Sequence, residues 1–255
     1  LRSLTLDLAS NELTVEGARV LAGLHTLPVL DTLTLQLEST RLGDACVHAL
    51  TPWKSAPSLR TLTLGLGCNG VSGAGVQALA QLRECRRLRS LSIDLQANVL
   101  SDAGAEALAA LRELPQLHTL RLNLAWTNIG PLGAYALAKF RTAPALQDLH
   151  LDLSGNELRD AGAQGLAELA GSATLARLQL RLGHNAVGDA GAAALAGLAQ
   201  CPTLQRLQLE MSSNNVGGDG ATALAALARA PQLESLTLNL NVNRISAPGA
   251  HALVH

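Results

Sequence analysis

His150 lies between two aspartates in the segment Asp148-Leu149-His150-Leu151-Asp152. If this segment is a β-strand, alternate residues point to the same side, so the imidazole and both carboxylates share one face. Such a group could act as a general base or contribute ligands to a metal site. Catalysis would also need a nucleophile and a closed pocket, and the sequence supplies neither, nor an HExxH or GxxxxGK[ST] motif. We therefore expect no enzyme activity, no metal site and no cofactor.

The four cysteines, Cys46, Cys68, Cys85 and Cys201, show no CxxC spacing and no histidine partner at metal-ligand spacing. The chain also has no Asn-x-Ser/Thr glycosylation site, so we expect reduced thiols and a cytoplasmic or nuclear location. The formal net charge of −1 gives no reason to expect nucleic acid or an anionic membrane as partner. No apolar run reaches the length of a transmembrane helix, which is about 20 residues.

The elements that must position these side chains belong to a repeat of 29 residues. A leucine recurs at 1, 30, 59, 88, 117, 146, 175, 204 and 233, without insertion. Eight full repeats and a truncated ninth then form a single domain over 1–255. Each repeat is numbered from this leucine as positions 1–29. Neither end has a polar capping repeat, so we expect the chain to be part of a longer protein or an assembly.

Two hydrophobic periods predict the secondary structure of each repeat. Leucine at positions 4, 6 and 8, replaced only by Ile93 and Met211, predicts a short strand with one buried face. Apolar positions 17, 20, 21 and 24 predict a helix. Aspartates at the helix start, such as Asp102 and Asp160, are expected to cap their own helix. Stacked repeats predict an α/β fold, a right-handed solenoid (horseshoe) with a parallel concave sheet and convex helices.

Position 11 is Asn in seven repeats and Thr in two, Thr40 and Thr127. Because an amide both donates and accepts, we expect this column to hydrogen-bond the backbone of adjacent turns. In repeat five, a local shift is expected to let Asn128 take the place of Thr127.

The pattern L-x-x-L-x-L-x-L-x-x-N-x-[LVI], followed by G-A-x-x-L-A-x-L, resembles the leucine-rich repeat family along the whole chain. The 29-residue length with a full helix is similar to the ribonuclease-inhibitor-like class. The strand segment is two residues longer than the usual pattern, so we expect a wider sheet or a different curvature. The resemblance implies a protein-recognition function and, in one branch of the family, activation of a GTPase.

Residues at positions 3, 5, 7 and 9 are expected to point outward from the concave face, and those in repeats five to eight carry both signs of charge. One interpretation is a surface that binds a protein through arginine–carboxylate pairs. The other is a ladder that neutralises itself, with Arg181 between Asp152 and Glu210. Trp126, at position 10, is either an interface anchor or a residue that fills a gap beside Thr127 and Pro131. The predicted partner-binding residues are Trp126, Arg121, Asp148, His150, Asp152, Arg177, Arg181, Arg206 and Glu210.

Three functions follow from these patterns. A scaffold that recognises another protein of unknown identity on its concave face is the first. The second is a structural element of a larger assembly that packs through its Ala-rich convex helices. The third, a GTPase activator, rests on the family resemblance alone. The locally basic stretch Arg83–Arg89 is explained either by cations that offset a helix dipole or by a site for phosphate or an acidic partner.

Overall fold

The computed structural model describes residues 1–254 and contains nine strands alternating with nine helices within that range. The strands are β1 (Ser3–Asp7), β2 (Thr32–Gln36), β3 (Thr61–Gly65), β4 (Ser90–Asp94), β5 (Thr119–Asn123), β6 (Asp148–Asp152), β7 (Arg177–Arg181), β8 (Arg206–Glu210) and β9 (Ser235–Asn239). The helices are α1 (Val15–Ala22), α2 (Gly43–Ala49), α3 (Gly73–Ala80), α4 (Ser101–Ala109), α5 (Pro131–Leu137), α6 (Arg159–Ala167), α7 (Asp189–Ala196), α8 (Gly218–Leu224) and α9 (Ala247–Val254).

A single parallel sheet holds the nine strands in chain order. Each strand residue pairs with the residue 29 positions later, as in Leu91 with Leu120, so every column of the repeat runs unbroken across the sheet. Backbone hydrogen bonds continue past the strands at positions 8 and 10, for example from Leu95 N to Asn123 O at 2.8 Å. The longer strand segment therefore appears as an extension of the ladder beyond the five-residue strands.

The core lies between the sheet and the helices and is built from the leucine columns. Leu35, Leu122 and their equivalents at position 6 are almost fully buried in repeats two to eight. Trp53 and Phe140 replace leucine at position 24 and are 1% and 2% exposed, so both are core residues. Position 24 lies in a short 3-10 helix that follows each of α1 to α8, where the sequence predicted one continuous helix.

The position-11 column forms the expected network. Asn98 Oδ1 accepts from the backbone N of Asn69 and Val71, and its Nδ2 donates to Leu66 O at 2.9 Å. The expectation for Asn128 is wrong. Thr127 itself is fully buried and its hydroxyl donates to Leu124 O at 2.7 Å, while Asn128 is exposed with a φ of 59°.

The expectation that each aspartate caps its own helix is also wrong. Asp102 Oδ1 accepts from the backbone N of Gly130 and Gly133, at 2.7 and 2.8 Å, at the start of the next helix, α5. Gly130 has no side chain to cap α5, and a Cβ on Gly133 would lie 2.6 Å from Asp102 Oδ1. Glycine at these positions therefore makes room for a carboxylate that belongs to the preceding repeat.

The same contact recurs at three other junctions between repeats. Asp160 and Asp189 cap the starts of α7 and α8, and Asp44 accepts from Ser72 at the start of α3. The helices that carry Asp44, Asp102 and Asp160 begin differently, because position 14 there has a positive φ of 52–56°. Consecutive repeats with the same 29-residue length thus enter their helices in two ways.

Candidate functional site

The candidate site is on the sheet face, which is the solvent side of the sheet formed by positions 3, 5 and 7. Three rows of paired residues cross strands β5 to β8. The row at position 3 starts its charged part with Asp148, which pairs with Thr119, and the row at position 5 starts with Arg121. The third begins with Asn123. The rows are Asp148, Arg177 and Arg206; Arg121, His150, Gln179 and Gln208; and Asn123, Asp152, Arg181 and Glu210.

Two aspartates organise the ion pairs on this face. Asp148 Oδ2 lies 3.3 Å from Arg177 Nε and 3.7 Å from Arg121 Nη2, so one carboxylate serves two guanidinium groups. Asp152 Oδ2 lies 3.4 Å from Arg181 Nη1, and its Oδ1 accepts from the backbone N of Ser154. The three arginine side chains remain 46–49% exposed. Most of their N–H donors are therefore free for another acceptor.

The charges neutralise each other only in part along the ladder, because the pair of Arg181 with Glu210 that the second interpretation expected is absent. Arg181 pairs with Asp152 but has no ion pair with Glu210. Glu210 instead accepts from Gln208 Nε2 at 3.1 Å and Asn239 Nδ2 at 2.6 Å. Arg206 is exposed and has no ion pair or side-chain hydrogen bond within residues 1–254. The face thus presents donors without an internal acceptor.

His150 lies in the middle of this group and beside a small cavity. Its Nε2 is buried and has no hydrogen-bond partner among the described residues. Burial lowers the pKa of His150, and the nearby Arg181 and Arg121 lower it further, while Asp152 and Asp148 act in the opposite direction. The imidazole is therefore neutral at pH 7. A cavity of about 170 Å³ beside it is lined by Ser92, Ile93, Asp94, Arg121, Leu122, Asn123, His150, Asp152 and Arg181.

Trp126 lies just beyond the end of β5, where its backbone N donates to Ser154 O at 2.9 Å. The indole covers Gly155 of the next repeat so closely that a Cβ there would lie 2.3 Å from Trp126 Cδ2. The ring centroid is 6.1 Å from that of His184 in the repeat after that. The side chain is nevertheless 60% exposed. One face of the indole is held against the backbone while most of the ring remains open to solvent.

The described residues offer little for catalysis. No group of three or more His, Cys, Asp or Glu side chains within residues 1–254 is placed to hold a metal ion. All four cysteines are free thiols, and burial raises the pKa of Cys46 and Cys85, which makes them poor nucleophiles. In the same range, no helix has the length and apolar character needed to cross a membrane.

A sequence model of the leucine-rich repeat matches residues 1–22, 58–80, 88–109, 116–138, 149–167, 178–196 and 200–225, which together make up more than half of the chain. The protein therefore belongs to the leucine-rich repeat family, as the sequence pattern predicted. No curated protein matches the sequence.

Two solved structures share the fold. A chain of the mouse RP105/MD-1 complex is 21% identical, with a TM-score of 0.54, over all of this protein and 41% of its own length. Internalin C2 from Listeria monocytogenes str. 4b F2365 is 20% identical, with a TM-score of 0.52, over 93% of this protein and 80% of its own length. The protein thus spans less than half of the RP105/MD-1 chain. At these identities the likeness shows the fold alone.

Sequence reasoning placed eight of the nine predicted residues by strand alternation and Trp126 by its position at the rim, but it missed Asp94. Asp94 and Asn123 complete the cavity wall through a hydrogen bond of 2.8 Å between two adjacent strands. Gly155 was also missed as the support of Trp126. A signal for Gly155 was present, because it follows Trp126 by 29 residues in the position-10 column.

Proposed function

We propose that this protein is a non-enzymatic recognition module that binds another protein on the sheet face of repeats five to eight. One observation carries the proposal. Trp126 is anchored but largely exposed, and it lies on the same sheet face as Arg206, which has no internal acceptor, and Arg181, whose donors are only partly used by Asp152. Aromatic and arginine side chains in such settings dominate binding energy at protein interfaces.

The expected contact combines two kinds of interaction. A partner side chain would pack on the open face of Trp126, and carboxylate or carbonyl oxygens would accept from Arg181 and Arg206. Helices are wider than strands, so the stack is expected to curve around the sheet and wrap the partner. That one structural neighbour comes from a complex of two proteins, RP105 and MD-1, is in keeping with this class of function.

The test is a comparison of variants at matched positions. Trp126→Ala and Arg206→Glu remove the anchor and reverse a charge that has no internal partner. The controls are Leu132→Ala in the same repeat as Trp126, where the side chain is 72% exposed on the helix side, and Arg229→Glu in the same repeat as Arg206. Proteins captured from a lysate by the wild type are identified by mass spectrometry, purified and titrated against each variant.

Trp126→Ala is expected to weaken binding by about tenfold or more, and Leu132→Ala to leave it unchanged. If the sheet-face variants bind like the wild type, the proposal is wrong, and a loss of binding in Leu132→Ala would place the site on the helix side. A site on the helix side would favour the second function, a structural element of a larger assembly. GTPase activation would require stimulated GTP hydrolysis, and no residue of this site points to it specifically.

We also propose the ribonuclease-inhibitor-like class and a cytoplasmic or nuclear location. The first is supported by the 29-residue register and a helix in every repeat. The second is supported by the free thiols and the absence of glycosylation sites in the sequence. Localisation of the tagged full-length protein by microscopy tests it.

A further inference from the structure

A second charged surface lies at the edge of the sheet where the strands begin, in repeats three and four. Arg86, Arg87 and Arg89 lie between a 3-10 helix, Gln81–Glu84, and β4, and Arg60 immediately precedes β3. All four side chains are exposed. The backbone N of Arg89 donates to Arg60 O at 2.8 Å, so these two arginines lie on adjacent turns of the stack. We call the four residues the arginine edge.

The arginine edge forms no internal ion pair. Within residues 1–254, none of its four side chains forms an ion pair or a hydrogen bond. The glutamates nearest in sequence are already engaged: Glu84 with Lys54 at 3.3 Å, and Glu113 with Arg83 at 3.9 Å and Arg112 at 3.7 Å. Like charges on adjacent strands are destabilising. The chain therefore holds four cations together at some cost and without internal compensation.

Structural roles for these arginines are filled by other residues. Within Arg83–Arg89, the cation in the last turn of the 3-10 helix is Arg83. Asp31, which precedes β2 on the other side of Arg60, accepts from the Thr32 hydroxyl and does not pair with Arg60. The helix-dipole explanation therefore accounts for Arg83 and not for the arginine edge, whose residues lie outside that helix.

Two of the four arginines also replace residues that stabilise other repeats. Position 28 is proline in six repeats, and Arg86 stands there in repeat three. Position 29 carries a hydroxyl that bonds a backbone oxygen of the preceding turn of the stack in three other repeats, as Ser58 Oγ does to Pro28 O at 2.6 Å, and Arg87 stands there in repeat three. Two neighbouring positions that hold structural residues in other repeats are thus occupied by arginine in repeat three.

We propose that the arginine edge binds an acidic segment, rich in Asp and Glu, of a partner polypeptide. The four cations are all arginine, whose planar fork matches carboxylates in a bidentate geometry. Adjacent turns are about 4.8 Å apart, so the edge spans only a few carboxylates. Nucleic-acid binding would draw on exposed aromatic rings for stacking, and the tryptophan of repeats one to four, Trp53, is buried. No exposed large apolar side chain lies within Arg83–Arg89 or beside Arg60 for insertion into a membrane.

The test uses the full chain and a fluorescein-labelled peptide of eight glutamates, measured by fluorescence anisotropy at about 50 mM salt, where screening is weak. Arg86→Gln/Arg87→Gln is compared with Arg229→Gln/Arg244→Gln, which changes the net charge equally at exposed, unpaired arginines elsewhere. Circular dichroism confirms that both variants fold. A peptide of eight glutamines controls for charge.

The wild type is expected to bind the glutamate peptide, and the Arg86/Arg87 variant to bind it about tenfold more weakly, as two exposed charge pairs would give. The Arg229/Arg244 variant is expected to bind like the wild type. Equal loss in both variants, or no binding by the wild type, overturns the proposal. Tighter binding to phosphatidylserine vesicles or to single-stranded oligonucleotide, with the same dependence on Arg86 and Arg87, overturns it in favour of that partner.

Discussion

The two halves of the sheet face differ in chemistry, although the backbone beneath them is the same. In repeats one to four, positions 3 and 5 carry only Ser and Thr, as in Thr34 and Thr63. In repeats five to eight the same positions carry Arg121, Asp148 and His150, among others. The strand register is identical in both halves. The inward columns therefore determine the fold, while the outward columns are free to vary with function.

If the two halves of the sheet share one core, equivalent leucines in each half contribute similarly to stability. Leu35→Ala in repeat two and Leu122→Ala in repeat five remove equivalent position-6 side chains, which are 0% and 1% exposed. Each is expected to lower the free energy of unfolding by about 2–5 kcal/mol, because each leaves a cavity that the stack cannot close. Urea unfolding followed by circular dichroism measures both. A cost below about 1 kcal/mol at either site would contradict the register described here.

Gly155→Ala tests whether Gly155 supports Trp126 in repeats five to eight. Its matched control is Gly70→Ala in the other half, because both glycines have a φ of +67° and no atom lies within 4 Å of a Cβ on Gly70. Both variants should lose about 1 kcal/mol from backbone strain, and Gly155→Ala should lose more because it displaces Trp126. In a Trp53→Phe background, Trp126 emission should shift to longer wavelength only in Gly155→Ala. Equal costs and unchanged emission would show that Trp126 does not depend on Gly155.

The smallest expected effect is the pH dependence contributed by His150, which has no counterpart in repeats one to four. Its pKa in the folded protein is below the ordinary value of about 6.5. The unfolded chain then binds the proton more readily, so the stability contributed by the neutral imidazole is complete above about pH 6.5. It is lost as the pH falls from there through the folded pKa. The loss of stability between pH 7.5 and 5.5 should be smaller in His150→Gln than in the wild type, and equal losses would argue against the lowered pKa.

The sequence predicted the features that follow from the 29-residue period and missed those that depend on side-chain contacts between repeats. The 29-residue spacing of leucines implied the register, and strand alternation placed Arg121, His150 and Arg181 on one face. Capping by Asp102 was assigned to the wrong helix, because the rules for helix starts are local and the backbone N–H groups that donate to its carboxylate are 28 and 31 residues away in sequence. The distribution of ion pairs around Asp148 could not be predicted either, since it depends on the rotamers of two long side chains, Arg121 and Arg177.

Repeats differ in how they are joined. A charge-assisted clamp links repeats two and three, four and five, six and seven, and seven and eight, through Asp44, Asp102, Asp160 and Asp189. The other junctions lack an aspartate at this position and rely on packing, backbone bonds and other side-chain contacts such as the position-11 column. Pulled from its ends, such a chain is expected to separate first at the junctions without the clamp, which leaves blocks of two or three repeats in the middle and a single repeat at each end. Between the two terminal repeats, the group that separates together is thus larger than one 29-residue repeat.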